Sequence, residues 1–201
     1  MSLLKVTLWR AILIFLVFTI VCGGIYPLLM TAFAQVTFPE KANGSLLEVD
    51  GKMYGSELLG QQFTEQSHMW GRIMQIDTAT YKDSEGKSLM YAYPANISPA
   101  SDQYEALVAK RIVTIQEAHP NKVGVPVPVD LVTASGSGLD PSISIAAAMY
   151  QVERLAEHNH LPIEEVKRIV RECTEAPLFG LFGEKTVNVL KVNLMLEGII
   201  K

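Results

Sequence analysis

Only two cysteines occur in 201 residues, Cys22 and Cys173. Cys22 falls inside a long apolar run, a poor place from which to pair with a residue of a soluble domain, so no disulfide is expected. No CxxC and no paired His/Cys spacing is present, which leaves zinc without a ligand set. The chain lacks the GK[ST] end of a Walker A loop, the GxSxG of a serine hydrolase, a phosphorylatable DKTGT loop and an ion-selective filter. Neither sign of charge dominates: 17 basic against 21 acidic residues give a net charge of -4, without the basic excess that a nucleic-acid partner selects. Between Ala11 and Pro39 there is no charged residue at all.

That uncharged stretch is the strongest positive signal. Its core, AILIFLVFTIVCGGIYPLLMTAF (residues 11–33), supplies the ~20 apolar residues that a bilayer core requires at a rise of ~1.5 Å each. Trp9 and Arg10 stand at its near edge, where an aromatic ring and a cation suit the headgroup layer. Lys5 and Arg10 precede it, which predicts residues 1–10 in the cytoplasm and residues 34–201 outside. A cleaved signal peptide is the rival, since Ala32-Phe33-Ala34 has the small-x-small form of a cleavage site. A signal core usually runs about 7–15 residues, and this one is longer, so a retained anchor is preferred. Gly23-Gly24 and Pro27 interrupt it. They are either tolerated residents or a flat face for a partner helix.

Beyond Phe38 the composition is that of a soluble domain, with enough chain for one hydrophobic core. Up to about residue 97 it reads as short strands and loops, and Asp50-Gly51 predicts a hairpin turn. The remainder reads mostly helical. Ser101 caps a helix through YEALVAKRIVTIQEAH, with Leu107, Val108, Ile112 and Ile115 near one face. Pro126 and Pro128 exclude helix from the next stretch. Asp140 or Ser144 opens IAAAMYQVERLAEHN. Pro162 starts IEEVKRIVRECTE, with Glu164 and Glu165 in its first turn. VNVLKVNLMLEGII fits helix better than strand. The fold class expected is mixed α/β (α+β), as one extracytoplasmic domain behind a single transmembrane helix.

VTASGSGLDP has the glycines of a phosphate-cradling loop but no lysine and no Ser/Thr in register. It reads instead as a turn, with Asp140 as a helix cap and Pro141 in the first helical turn. Ser135 and Ser137 have no partner histidine at an informative position. His158 and His160 lie at a helix end, where their charge complements the macrodipole, and no third metal ligand is evident. Glu153 and Arg154 read as a solvated face, and Gln151 has no partner that sequence can name. No catalytic, cofactor or metal residue is therefore assigned.

In order along nearly the whole chain, these residues resemble the C subunit of the Kdp-type potassium-transporting P-type ATPases. The resemblance rests on Gly23, Gly24, Tyr26 and Pro27 in the apolar span, GSELLGQQF at 55–63, Gly71-Arg72, VPVDLVTASGSGLDP at 126–140, AAAMYQVERLA at 146–156 and the tail FGEKTVNVLKVNLML. Three departures stand out. GRIMQ (71–75) replaces the family's GRPSA, PANISPASD replaces a longer glycine-rich stretch, and Glu153 replaces the usual proline before the helical arginine.

The resemblance implies a non-catalytic subunit of a potassium-uptake complex in a bacterial cell membrane, assisting assembly and potassium-dependent activity. Its implied partners are a channel-like potassium-translocating subunit, a P-type ATPase subunit and a very small hydrophobic subunit. It also carries a nucleotide-binding reading for Gln151 and the SGSG stretch, which an exported domain, meeting little ATP, makes awkward. A stand-alone anchored binding module is the alternative from another class, and a hydrolase using Ser137 a third.

Overall fold

The computed structural model describes residues 3–77, 79–87, 91–94, 96–177 and 179–201. Met1 and Ser2 of the N-terminal flank, and Ala95 of the PANISPASD stretch, lie outside the described residues. The chain forms two compact units, Met1–Leu46 and Leu47–Lys201.

The first unit is built on one apolar helix. α1 (Leu3–Ile20) and α2 (Tyr26–Thr37) are joined by a wider π turn at Val21–Ile25. Pro27 explains the widening. It lacks an N–H, and its ring crowds the carbonyl four residues back, at Gly23. The ladder shifts register there, and the Tyr26 N–H reaches Val21 O, five residues away. A single wide turn of this kind keeps a helix continuous where a strict α repeat would break. Helical structure thus runs for 35 residues, Leu3–Thr37, longer at both ends than the apolar run of 11–33. At ~1.5 Å per residue it measures about 52 Å, against a hydrocarbon core of about 30 Å. Ala32-Phe33-Ala34 lies within α2. A four-residue helix, α3 (Pro39–Ala42), follows.

The second unit opens with the expected hairpin. β1 (Leu46–Val49) and β2 (Lys52–Ser56) pair, and Asp50 (φ 52°) and Gly51 (φ 76°) both take the left-handed conformation that a two-residue turn of matching twist requires. β3 (Gln75–Asp77) and β4 (Tyr91–Tyr93) form a second antiparallel pair. Between the two pairs, residues 57–74 have almost no regular structure.

The helical half follows. α4 (Asp102–Ala118) is capped by Ser101, whose side chain accepts from the Tyr104 N–H. Its inner face carries Ile115, fully buried, while Leu107 stays exposed. α7 (Ile163–Glu172) buries Val166, Ile169 and Val170, spaced as one helical face demands. Its opposite face carries the Glu164–Lys167, Glu165–Arg168 and Arg168–Glu172 pairs, solvent-screened surface pairs that add little to stability. The C-terminal segment is first a strand, β7 (Thr186–Asn188), and then a helix, α8 (Val189–Leu196). β7 is the middle of a three-stranded antiparallel sheet, flanked by β5 (Ser142–Ser144) and β6 (Thr174–Glu175). Ile143, Val187, Leu155, Val166 and Val192 meet in the core with almost no exposure.

One expectation fails at Asp140. It caps no helix: its Oδ1 accepts from the Ser142 N–H at 3.0 Å, and β5 intervenes before Ser144 caps α5 (Ile145–Tyr150) through the Ala147 N–H. Pro141 fits the first turn of a helix and an extended edge equally well, and here its carbonyl accepts from the Val189 N–H at 3.0 Å.

The turn before it is held from within and without. Ser135 Oγ accepts from the Gly138 N–H at 2.9 Å and Ser137 Oγ from the Leu139 N–H at 3.1 Å. The two glycines differ. Gly138 has φ 72°, and a Cβ there would come within 2.5 Å of the Tyr93 carbonyl oxygen, whereas Gly136 faces open space at ordinary φ. Of the two, Gly138 alone takes positive φ. Gly138→Val should therefore cost at least ~2 kcal/mol of stability or abolish folding, while Gly136→Val should stay within ~0.5 kcal/mol. Urea titration of the two purified variants checks this; equal losses would contradict the geometry.

Candidate functional site

The most organised group of polar side chains is buried beneath residues 65–70. This segment has no ladder partner of its own, yet Met69 and Trp70 are 0% and 4% exposed. A buried backbone without hydrogen bonds is costly, and here side chains supply the partners.

Gln151 is the centre. It sits where α5 ends and α6 (Val152–His158) begins, in a turn closed by its own N–H to Ala148 O. Its Oε1 accepts from the Trp70 N–H and from Arg154 Nη2, both at 2.8 Å. Its Nε2 donates to Trp70 O at 2.9 Å and to Ala147 O at 3.3 Å. All four hydrogen-bonding positions of the amide are used. Asn193, on the apolar stripe of α8, treats the neighbouring residue the same way: Met69 N donates to its Oδ1 at 2.6 Å, and its Nδ2 donates to Met69 O at 3.1 Å. Two side-chain amides thus act on consecutive residues as a strand edge would.

Asn159 and Asn188 extend the pattern. Asn159 Nδ2 donates to Ser67 O at 2.7 Å, and Asn188 Nδ2 to Glu57 O at 2.9 Å. Asn188 Oδ1 also accepts from the Lys191 N–H, which caps α8.

Arg154 is 4% exposed, so the solvated face expected of it is corrected. Its Nη1 donates to the carbonyls of Gln66 and His68, and its guanidinium lies over the Trp70 ring at 4.5 Å. Burial lowers its pKa to about 10, still cationic at neutral pH. Its Nε donates to His119 Nε2 at 3.1 Å, so the His119 proton sits on Nδ1, facing Ile115 O at 2.6 Å. Desolvation first, and the neighbouring Arg154 charge after it, push His119 down to about 4. Glu153 behaves more as expected, pairing with Lys122 at the surface. His158 Nδ1 meets the Arg154 carbonyl at 3.0 Å.

A second cluster ties Arg72 to the segment that leads into the SGSG turn. Its Nη1 meets Asp130 Oδ1 at 3.1 Å, and its Nη2 donates to Thr133 Oγ1 and Ala134 O. Asp130 Oδ2 accepts from the N–H of Ser144, the α5 cap, at 2.9 Å. Buried Arg72 Nε and Tyr150 Oη have no partner among the described residues.

Chemically, this is a set of committed groups. The turn hydroxyls are bound to backbone N–H, the amides to backbone, and the arginines to carbonyls or Asp130. The clefts beside His119 and Arg72 measure about 20, 10 and 50 Å³, against roughly 300 Å³ or more for small-molecule sites. Among the described residues no three His, Cys, Asp or Glu side chains group as metal ligands. Sequence reasoning missed Trp70, Asn159, Asn188 and Asn193. The available signal was an asparagine inside the apolar stripe VLKVNLML, a residue that cannot be buried there without partners.

Two outcomes follow for the intact chain. Gln151→Leu should lose about 3–5 kcal/mol, because the Trp70 N–H and C=O are both stranded, and Gln151→Glu should also destabilise, because it keeps the Oε1 acceptor but turns a second oxygen towards the Trp70 and Ala147 carbonyls. Unfolding curves that match wild type for both would exclude the clamp. For His119, the unfolded chain takes up a proton near pH 6.5 that the folded chain refuses until about pH 4. Its contribution is complete above pH 6.5 and falls away as pH drops towards 4, at no more than ~1.4 kcal/mol per pH unit. A His119→Asn variant should show a shallower fall in urea midpoint between pH 7 and pH 4.5 than wild type; parallel curves would exclude this.

The family model described as "K+-transporting ATPase, c chain" matches residues 8–198. The chain is 57% identical to the protein named potassium-transporting ATPase KdpC subunit of Clostridium perfringens, over 96% of this chain and 97% of that one. It is 55% identical to the protein of that name in Clostridium botulinum strain Eklund 17B, over 96% of each. Identity to the Methylococcus capsulatus protein is 44%, over 94% of this chain and 96% of that one. The match runs through both the apolar helix and the amide-clamped unit behind it, and on these grounds the chain belongs to the KdpC family.

Proposed function

We propose that this chain is a non-catalytic accessory subunit of an ATP-driven potassium-uptake complex, assisting assembly and potassium-dependent activity. Its first ten residues are cytoplasmic, Leu3–Thr37 contains the membrane span, and the second unit lies outside. The observation that carries the reading is the state of the polar core: Gln151, Arg154, Asn159, Asn188 and Asn193 are all spent on holding the chain's own backbone. A protein so built contributes a rigid shape and a surface. The relatives' names supply the setting, a potassium-transporting ATPase. Its implied partners are the channel-like, ATPase and small hydrophobic subunits of such a complex, which would carry the transport chemistry.

Orientation rests on Lys5 and Arg10 ahead of the uncharged stretch. The helix also offers a docking face. Gly23 and Gly24 leave its surface open, with nothing within 4 Å of where a Cβ would stand, and membrane helices associate through such close approach. A nucleotide role for Gln151 is disfavoured, since its amide has no free position.

The test combines labelling and co-purification. In a Cys22→Ser background, Asn121→Cys should react with a membrane-impermeant maleimide on intact cells. Cys173 serves as internal control, because burial pushes its thiol up to about 11. Labelling only after cell opening would overturn the orientation, and a mature N-terminus at Gln35 would overturn the anchor. Tagged wild-type chain should bring large membrane subunits with it. Gly23→Leu with Gly24→Leu should insert normally but recover several-fold less complex. Full recovery of the wild-type chain alone, without partners, would favour a stand-alone anchored module.

A further inference from the structure

Pro27 leaves more behind it than a wide turn. A helix in lipid satisfies its own backbone only where each carbonyl finds an N–H further along the chain. Around Pro27 the donors run short. The π turn sends the N–H groups of Ile25 and Tyr26 back five residues, to Ile20 and Val21. Pro27 has no N–H. The Leu29 N–H closes the first turn of α2 on the carbonyl of its cap, Ile25. Leu28 alone is left for the carbonyls of Cys22, Gly23 and Gly24, and a reach of four or five residues takes it to Gly24 or Gly23. The Cys22 carbonyl and one glycine carbonyl therefore have no donor within the helix. The nearest preceding hydroxyl does not make up the shortfall, since Thr19 donates to Phe15 O at 2.8 Å. Cys22 is also the midpoint of the apolar run of 11–33, the depth at which lipid offers an unpaired carbonyl nothing.

We infer that these mid-helix carbonyls accept hydrogen bonds from a hydroxyl or carboxamide side chain on a membrane helix of a neighbouring subunit. Lipid tails carry no donor, so the donor must come with protein. A neutral group fits best, because an ammonium or guanidinium at the bilayer centre is far more costly to place. Two carbonyls are too few to replace the hydration shell of a cation. Ser, Thr, Asn and Gln are the side chains that bond across membrane helices, and a short one reaches a backbone carbonyl only where the helices come close. Such approach is open here: nothing lies within 4 Å of a Cβ built at Gly23 or Gly24. The inference rests on the docking-face reading and deepens it. The glycines set how near a partner helix can come, and the carbonyls set what it must carry.

The experiment follows one carbonyl. Cysteine isotope-labelled at its carbonyl carbon marks Cys22 and Cys173 alone, and a Cys22→Ala chain labelled the same way supplies the Cys173 band for subtraction. In phosphatidylcholine vesicles, infrared spectra of the chain alone should place the Cys22 band at the high frequency of an unbonded carbonyl. In the purified multi-subunit complex the band should move down to that of a bonded one. Pro27→Ala restores an N–H and lets the turn close as an α-helix. Its Cys22 band should already lie low in the chain alone, and the tagged variant should recover several-fold less complex although Gly23 and Gly24 are unchanged. A low band in the isolated wild-type chain, or a band that does not move on assembly, overturns the inference. So does a downward shift on crowding the chain in vesicles or on adding potassium chloride, which would assign the carbonyls to a second copy or to a cation. Wild-type recovery of complex with Pro27→Ala, beside loss with Gly23→Leu and Gly24→Leu, would overturn the carbonyl bonds and leave the docking face standing. Absence of partner subunits from the wild-type preparation would instead overturn the subunit reading itself.

Discussion

A buried stretch of chain with no secondary structure must find hydrogen bonds somewhere, and the second unit is organised around that requirement. Residues 66–70 run as irregular backbone from the surface into the core, where Met69 and Trp70 are buried. Their amide and carbonyl groups are met by Gln151, Arg154, Asn159 and Asn193, all drawn from the helical half. Each such bond adds only about 1 kcal/mol net, but leaving one unmade strands a buried group at ~1–3 kcal/mol. The arrangement is therefore cooperative in a practical sense: the strand-poor half of the domain has a defined path only while the helices are in place, and α5, α6 and α8 are fixed in mutual position by the same amides. Arg154 gains from this too. Among the described residues no carboxylate pairs with it, and two carbonyls, the Gln151 oxygen, His119 and the Trp70 face surround it.

This commitment of polar groups bears directly on function. Catalysis and ligand binding need side chains whose hydrogen-bonding positions are open or exchangeable with substrate. Here the Gln151 amide is saturated, the turn serines are occupied, and Arg72 is tied to Asp130, Thr133 and the Ala134 carbonyl. These groups hold the fold and leave few open hydrogen-bonding positions in the polar core.

The parts of the fold that were legible from sequence are those set by short-range chemistry. Asp50-Gly51 demands its hairpin, Ser101 its cap, Glu164 and Glu165 their helix start, and the uncharged run from Ala11 its long apolar helix. The parts that were not legible depend on contacts far along the chain. Gln151 meets Trp70 across 81 positions and Asn193 meets Met69 across 124. Helical periodicity alone cannot reveal such pairings, and it placed Arg154 on the surface because arginine usually is there. Asp140 followed by Pro141 has the local signature of a helix start. Tertiary pairing of β5 with β7 overrode it and moved the start to Ser144.

The departure at Glu153 now has a physical meaning. Gln151 can face Trp70 because α5 stops at Tyr150 and α6 starts afresh at Val152, so residue 153 lies in the first turn of a helix. That is where proline, the residue the family pattern carries, is tolerated, because the N–H it lacks would have no intrahelical partner anyway. A glutamate suits the same position for a different reason: its charge favours the positive end of the helix, and it pairs with Lys122 beside His119. Proline would enforce the restart by geometry. Glutamate allows it, and the Gln151 amide, bonded on four sides, then has to hold the break. The substitution therefore shifts weight onto Gln151 instead of removing a feature, and the helix break, more than the identity of residue 153, is what the clamp needs.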